Sequence, residues 1–382
     1  MHSSRLSRRQ FSAGMGAALL TGASLTRAQS DTRIVLGQSA ALTGPASQLG
    51  LQFQAGAKLA FDQVNAQGGI GRRTIELRSL DDGYEPDRCA ENTRRLINED
   101  VLALFGYVGT PTSLAAQPLF TQAKVPFFAP VTGAESLRQP FNRLAFHVRA
   151  SYADEAELIV RQLTNLGLDR IGVFYQDDAY GKAGLDAVTR ALATRKLAPV
   201  ATGTVARNSA NVTAAVAPLV AAQPVAIVQI GAYAASAAFV LAARKAGYGG
   251  KFYNVSFVGT QALADALGAN GAGVVVSQVV PSPYQQSRQI TREFQEAIKK
   301  GGNVQANYSS MEGYLAARVF IEGLRNAQAH ASGKLTRESL VAGLESLRGS
   351  VGGFTVNFSP SDHEGSRFVE MSMLTGDGRV RT

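Results

Sequence analysis

The 382-residue chain has no tryptophan, a single cysteine and four histidines. These shortages exclude several kinds of protein. Cys89 has no partner for an intramolecular disulfide, so stability must come from burial of a core. Its surroundings, DRCAENTRRL, read as an amphipathic helix in which the thiol is an inert core atom rather than a nucleophile. Beyond residue 28 three histidines remain: His147 in a strand pattern, His330 near a helix end and His363 in a turn. None is spaced with another His, Cys or carboxylate as a metal site requires. No GxSxG elbow and no SxxK motif occurs. The residues therefore propose no reaction, and no cofactor is expected. Nor does any stretch after residue 28 reach the apolar length of a membrane span.

Charge is weakly biased. The formal net charge is +9, but Arg5, Arg8, Arg9 and Arg27 lie in the first 28 residues without an acid among them, which leaves +5 for the remainder. The other basic residues are scattered, with no aromatic-interleaved basic face, and this argues against nucleic-acid binding. The first 28 residues, MHSSRLSRRQFSAGMGAALLTGASLTRA, have a basic start, an apolar core from Phe11 to Leu25 and a small residue, Ala28, at a cleavage point. They read as an export signal, with SRRQF similar to the twin-arginine motif and the general secretory route as the alternative. Either route ends outside the cytoplasm, and a periplasmic location is expected.

What is abundant is glycine, 39 residues, and strand–helix alternation. The cluster GGIG at 68–71 invites a phosphate-loop reading, which the order of elements refuses. Such a loop follows a strand and opens a helix. Here the helical spacing of Phe53, Ala57, Ala60 and Val64 comes first and the alternating run TIELRSL follows, so Gly68 and Gly69 read as a helix end and turn. Asp81 and Asp82 at the end of that run lack a base, metal or nucleophile and read as turn and cap residues, and Asp177 and Asp178 suit a helix start.

From residue 33 onward short β-rich runs alternate with helical patterns as far as GVVVSQVV. Parallel sheets covered by helices are expected, divided between two similar lobes. The tail breaks the rhythm with consecutive helical patterns over 288–300, 309–326 and 336–347, then the strand-like runs GGFTVNF and RFVEMSML, and these should complete the existing lobes. Ligands of open parallel sheets bind beyond the carboxyl ends of the strands. Two loops there stand out. In GYVGTPTS, Thr110 is expected to cap a helix that Pro111 starts, leaving the amides of Thr112 and Ser113 facing outward to hold a carboxylate, or serving as a cap alone. In APVTGAES, Thr132 and Gly133 bring a hydroxyl and an approachable backbone to the same mouth.

The segments LTGPASQLGLQFQAGAKLAFDQVNAQGGIGRRTIELRSLDDG, YVGTPTSLAAQPLF, VPFFAPVTGAESL, HVRASYADE, YQDDAYGKAG and EGYLAARVFIEGL, in this order across nearly the full length, resemble the leucine/isoleucine/valine-binding proteins of bacterial ABC importers. The resemblance implies the type I periplasmic binding fold, α/β with two Rossmann-like lobes joined by a three-strand hinge and closing on a ligand. It implies crossovers near Ala150, Val280 and Ser359, hence one lobe of residues 29–150 with 280–358 and another of 151–279 with 359–382. By the resemblance Thr110 binds a ligand carboxylate, and Val131, Thr132 and Gly133 add backbone and hydroxyl contacts. Tyr180 and Tyr233 face them from the second lobe. Amino-acid binders of the family place an acid where this chain has Ser256 and commonly an aromatic residue where it has Leu49. Since a buried ammonium without a carboxylate partner is costly, a small carboxylate lacking the amine is expected ahead of an α-amino acid. Implied partners are that ligand and an inner-membrane permease and ATPase, with a monomeric chain. A sensor component presenting a ligand to a chemoreceptor or kinase is the alternative, and an exported enzyme the remoter one.

Overall fold

The computed structural model describes residues 32–301, 303–330 and 335–382. The export-signal reading of residues 1–28 therefore lies outside the described residues. The first apolar run, RIVLGQSA, forms β1 (Arg33–Ala40), buried along most of its length because helices cover both faces. It pairs in parallel with β2 (Thr74–Asp81) on one side and β3 (Ala103–Phe105) on the other, followed by β4 (Phe127–Phe128) and β5 (Ala145–Phe146), in the order β2-β1-β3-β4-β5. The helices α1 (Ser47–Ala66), α2 (Pro86–Asn98) and α3 (Thr110–Gln122) connect these strands. Strands β3 and β4 are shorter than their apolar runs, because the chain leaves the sheet early to form the loops 106–109 and 129–134.

A second sheet repeats the plan. Strands β6 (Ile171–Gln176), β7 (Ala201–Val205), β8 (Ala226–Ile230), β9 (Lys251–Asn254) and β10 (Val275–Gln278) are parallel, in the order β7-β6-β8-β9-β10. The tail strands β13 (Glu370–Leu374) and β14 (Val380–Arg381) extend it antiparallel beyond β10. Its helices are α4 (Tyr152–Asn165), α5 (Ala179–Ala193), α6 (Thr213–Ala221), α7 (Tyr233–Lys245) and α8 (Thr260–Leu267). Sequence reading missed α8, a two-turn helix set between Gly259 and Gly268, both at positive φ.

The chain passes between the two sheets three times: after β5, after β10, and again in the tail. On the last passage Gly365 still hydrogen-bonds His147 beside β5 before the chain reaches β13. The tail helices α9 (Gln289–Gly301), α10 (Tyr308–His330) and α11 (Arg337–Glu345) and the hairpin β11 (Ser350–Val351) with β12 (Phe354–Thr355) lie between the second and third passages. Helix α10 packs on α1 at backbone distance. A Cβ on Gly56 would lie 1.8 Å from the Ser310 carbonyl oxygen, and one on Gly313 would lie 1.9 Å from that of Phe53. Glycine is required there by close approach.

The GGIG stretch closes α1 as its order of elements predicts. The Gly68 amide donates to Asn65 and that of Gly69 to Val64, with φ of +96° and +74°. Asp81 ends β2 as a turn residue, accepting from the amides of Leu42, Thr43 and Gly83, from the Thr43 hydroxyl and from Arg88. Cys89 is fully buried, and burial pushes its thiol well above the ordinary range, as an inert core atom requires.

Candidate functional site

The carboxyl ends of both sheets face one another, and the sequence-picked residues meet between them. Helix α3 begins one residue earlier than the TP pattern suggests. Thr110 is its first helical residue and Gly109 its cap, without a side-chain cap bond. The reason is backbone conformation: Gly109 holds φ +99°, and a Cβ there would strike the Tyr84 ring. The expectation that Thr110 caps the helix is corrected accordingly. The pair of outward amides is corrected too, since the Ser113 amide donates to the Gly109 carbonyl at 3.1 Å. Freed from capping, the Thr110 hydroxyl lies 2.6 Å from that of Thr132. Val131 bonds back to Tyr107 and brings the 129–134 loop alongside. Gly133 accepts from the Tyr152 amide at 2.8 Å, and a Cβ on Gly133 would meet that same amide at 2.6 Å. The first turn of the second sheet's leading helix thus rests on a loop of the first sheet.

Tyr180 stands at the start of α5, whose N-cap Asp178 accepts from the Tyr180 amide at 2.9 Å. Its ring packs on Phe257 and Tyr152, with centroids 4.6 and 5.5 Å away. Leu49 and Tyr233 meet across the gap at Gly259, where an added Cβ would lie 2.6 Å from Leu49 and 3.7 Å from Tyr233.

Ser256 overturns part of the sequence argument. The absence of an acid near Ser256 in sequence does not carry into space. Glu155, from the first turn of α4, accepts from the Ser256 amide at 2.7 Å, the Ser256 hydroxyl at 3.0 Å and the Ser277 hydroxyl. Arg149, in the first passage between the sheets, donates to the Ser256 hydroxyl and lies 3.8 Å from Glu155 and 3.6 Å from Glu312 on α10. Burial opposes the Arg149 charge, but Glu312 and Glu155 outweigh it and hold the guanidinium charged. Burial also raises both glutamates, against the pull of Arg149. Arg149, Tyr152, Glu155 and Glu312 were missed because sequence distance hides them. An arginine in a strand-to-helix crossing, within the mostly buried segment HVRASYADE, was the available signal.

Buried polar atoms at this junction retain hydrogen-bonding capacity: the Ser113, Tyr152 and Tyr180 hydroxyls and Nε and Nη1 of Arg149 have no hydrogen-bond partner, although Nε faces Glu312. Such groups are costly to leave unfilled. The Tyr152 hydroxyl is turned toward Thr132. Burial pushes this phenol up to about 12, although the Arg149 charge pulls it down. Buried Gln176 donates to the Tyr84 hydroxyl at 3.2 Å, and at the more exposed rim Arg207 pairs with Glu85 at 2.8 Å and Asn208 donates to the Gly83 carbonyl at 3.0 Å. A cavity of about 1020 Å³ opens at the opposite end of the first sheet beside Arg33, Lys124 and Arg337. None of its lining residues has an unpartnered buried polar atom.

The family description "periplasmic binding protein" matches residues 33–378. The chain belongs to that family. Within it the chain falls among the Leu/Ile/Val-binding proteins of the type I fold. It is 25% identical to Leu/Ile/Val-binding protein homolog 7 of Brucella suis biovar 1 over 96% of this chain and 94% of that protein. A possible leucine/isoleucine/valine-binding protein from Rhodopirellula baltica SH 1 superposes with a TM-score of 0.87 at 33% identity, covering 92% of this chain and 96% of that one. A substrate-binding periplasmic protein from Ralstonia solanacearum gives 0.84 at 33% identity, over 91% and 99%. Membership accounts for the repeated sheet order, since a periplasmic binding protein offers a ligand two such sheet ends. It also points to the periplasm as the working compartment. Among the described residues no helix is long and apolar enough to cross a membrane, and no group of three or more His, Cys, Asp and Glu could hold a metal ion.

Proposed function

We propose that this chain is the exported substrate-binding component of an ABC importer and captures a small carboxylate between two closing lobes. The lobes divide close to Ala150, Val280 and the stretch between Ser359 and Glu370. The observations that carry the reading are the paired Thr110 and Thr132 hydroxyls, Tyr152 seated on the same loop through Gly133 with Tyr180 packed against it, and the buried Ser113, Tyr152 and Tyr180 hydroxyls that have no partner. Thr110, Thr132 and Ser113 would meet the carboxylate at the positive end of α3, with Val131 and Gly133 as the backbone wall. Tyr180 closes from the other lobe. Leu49, Tyr233 and Phe257 give the ligand's apolar part its cover. Ser256 acts through Glu155 and Arg149 rather than on the ligand, because its hydroxyl both accepts and donates within that network. The chain acts as a monomer, and a permease and ATPase in the inner membrane complete the importer. Delivery, rather than reaction, is its task.

A thermal-shift screen of amino acids and amine-free carboxylates tests this. A ligand at a hundredfold its dissociation constant should add about 2.7 kcal/mol of stability. Thr110→Val should abolish the shift while leaving the unliganded melting point close to that of the natural chain. Silence across all small carboxylates, or an unchanged shift in Thr110→Val, would refute the assignment.

A further inference from the structure

We propose that Arg149 makes the site selective for carboxylates that carry an oxygen acceptor, rather than an ammonium, on the neighbouring carbon, with 2-oxo acids as the ligand class. This rests on the carboxylate-binding reading above and narrows it. Three observations lead there.

First, the place where an amine would need an acid is occupied by a filled network. The Glu155 carboxylate takes the Ser256 amide, the Ser256 hydroxyl and the Ser277 hydroxyl and faces Arg149 besides. A carboxylate offers about four acceptor sites, so little is left for a ligand. Ser256 is equally occupied, accepting from Arg149 and donating to Glu155.

Second, the unfilled capacity points the other way. Arg149 is 2% exposed in its side chain, and its Nη1 finds no partner. The Tyr152 and Tyr180 hydroxyls, both buried and unpartnered, belong to rings packed 5.5 Å apart, and Tyr180 also packs on Phe257, the neighbour of the Ser256 that Arg149 holds. A guanidinium can only donate, and phenols donate readily. Three such donors on neighbouring buried residues are matched by an oxygen acceptor. An ammonium brings more donors and a like charge, which a guanidinium within a few ångströms opposes strongly in a desolvated site.

Third, Arg149 is fixed. Glu312 from α10 and Glu155 from α4 hold the guanidinium from opposite sheets, with Ser256 as a further anchor. Held from both sides, the guanidinium presents its free Nη1 in a fixed position, preorganised for an oxygen acceptor. Glu312 is the competing feature: it faces Arg149 at 3.6 Å and is the acid through which an amine could still be held.

Isothermal titration of the mature protein with matched sets decides the matter. The aliphatic set is leucine, 4-methyl-2-oxopentanoate and 4-methylpentanoate; the aromatic set is phenylalanine, phenylpyruvate and 3-phenylpropanoate. In the set whose side chain fits, the 2-oxo acid should bind at least tenfold tighter than the amino acid and severalfold tighter than the plain acid. Tyr152→Phe, which removes one hydroxyl and keeps the ring, should shrink the margin over the plain acid. Arg149→Met should shrink both margins, and the ratios in the natural chain remain decisive should that variant not fold. An amino acid that equals or beats its 2-oxo counterpart overturns the selectivity and leaves the carboxylate reading standing, the more so if Glu312→Gln abolishes its binding. Silence from every member of both sets brings down the carboxylate reading and the selectivity with it.

Discussion

Removing the Tyr180 hydroxyl should move stability and affinity in opposite directions. The side chain is fully buried, its ring packed between Tyr152 and Phe257, and its oxygen has no hydrogen-bond partner. Tyr180→Phe keeps the ring contacts and deletes the oxygen. A buried hydroxyl without a partner costs roughly 1–3 kcal/mol relative to a filled one. Its removal should therefore leave the unliganded protein as stable as before, or up to about 1 kcal/mol more so. A hydrogen bond to a charged ligand group is worth roughly 1.5–3 kcal/mol, so the dissociation constant should rise about 10- to 150-fold. Differential scanning calorimetry of the empty protein and titration with the best screened carboxylate give the two numbers. Tyr314→Phe supplies the control. Its hydroxyl donates to Gln63 and accepts from Arg318, both at 3.1 Å, within one lobe. That variant should lose about 1 kcal/mol of stability and no affinity. Should Tyr180→Phe melt well below the natural chain, the hydroxyl has a partner after all. Should it bind as tightly, no ligand atom reaches it.

Other perturbations have equally definite outcomes. Burial lifts the Asp82 carboxyl to about 6, against hydrogen bonds from Ser39 and Tyr84, with the Asp81 charge adding to the rise. Between about pH 4 and pH 6 the folded chain therefore binds more protons than the unfolded one, and stability falls as pH rises, by up to roughly 3 kcal/mol. Asp82→Asn should match the natural chain near pH 4 and melt higher at pH 7; equal melting points at pH 7 would contradict this. Asp81 runs the opposite way, since hydrogen bonds from Thr43, Leu42, Gly83 and Arg88 overcome its burial and hold it at about 2, so its contribution is lost only as pH falls below about 4. At the rim, Arg207 bridges Glu85 and Asp178 at 2.8 and 3.5 Å. Because that pair is partly solvated, Arg207→Ala should cost about 0.2–1 kcal/mol, seen by surface plasmon resonance as up to fivefold faster release that high salt erases. Gly56→Ala drives a methyl into the Ser310 carbonyl and should lower the denaturation midpoint by the equivalent of about 1–3 kcal/mol or more. An unchanged midpoint would mean that α1 and α10 can separate freely.

The chain order of strands and helices, the glycine turn after α1 and the loops that carry Thr110 and Thr132 were legible in the sequence, because each depends on local patterns: hydrophobic period, turn chemistry and capping residues. Composition likewise set the absence of a disulfide. Tertiary structure decided everything that depends on residues far apart in the chain. It moved the helix cap from Thr110 to Gly109, since only the contact with Tyr84 reveals why glycine stands there. It brought Glu155 to Ser256 and Arg149 to Glu312, pairs separated by more than a hundred positions, with Arg149 also facing Glu155. No periodicity encodes that meeting, because it depends on how two sheets, linked by three passages of chain, come to face each other.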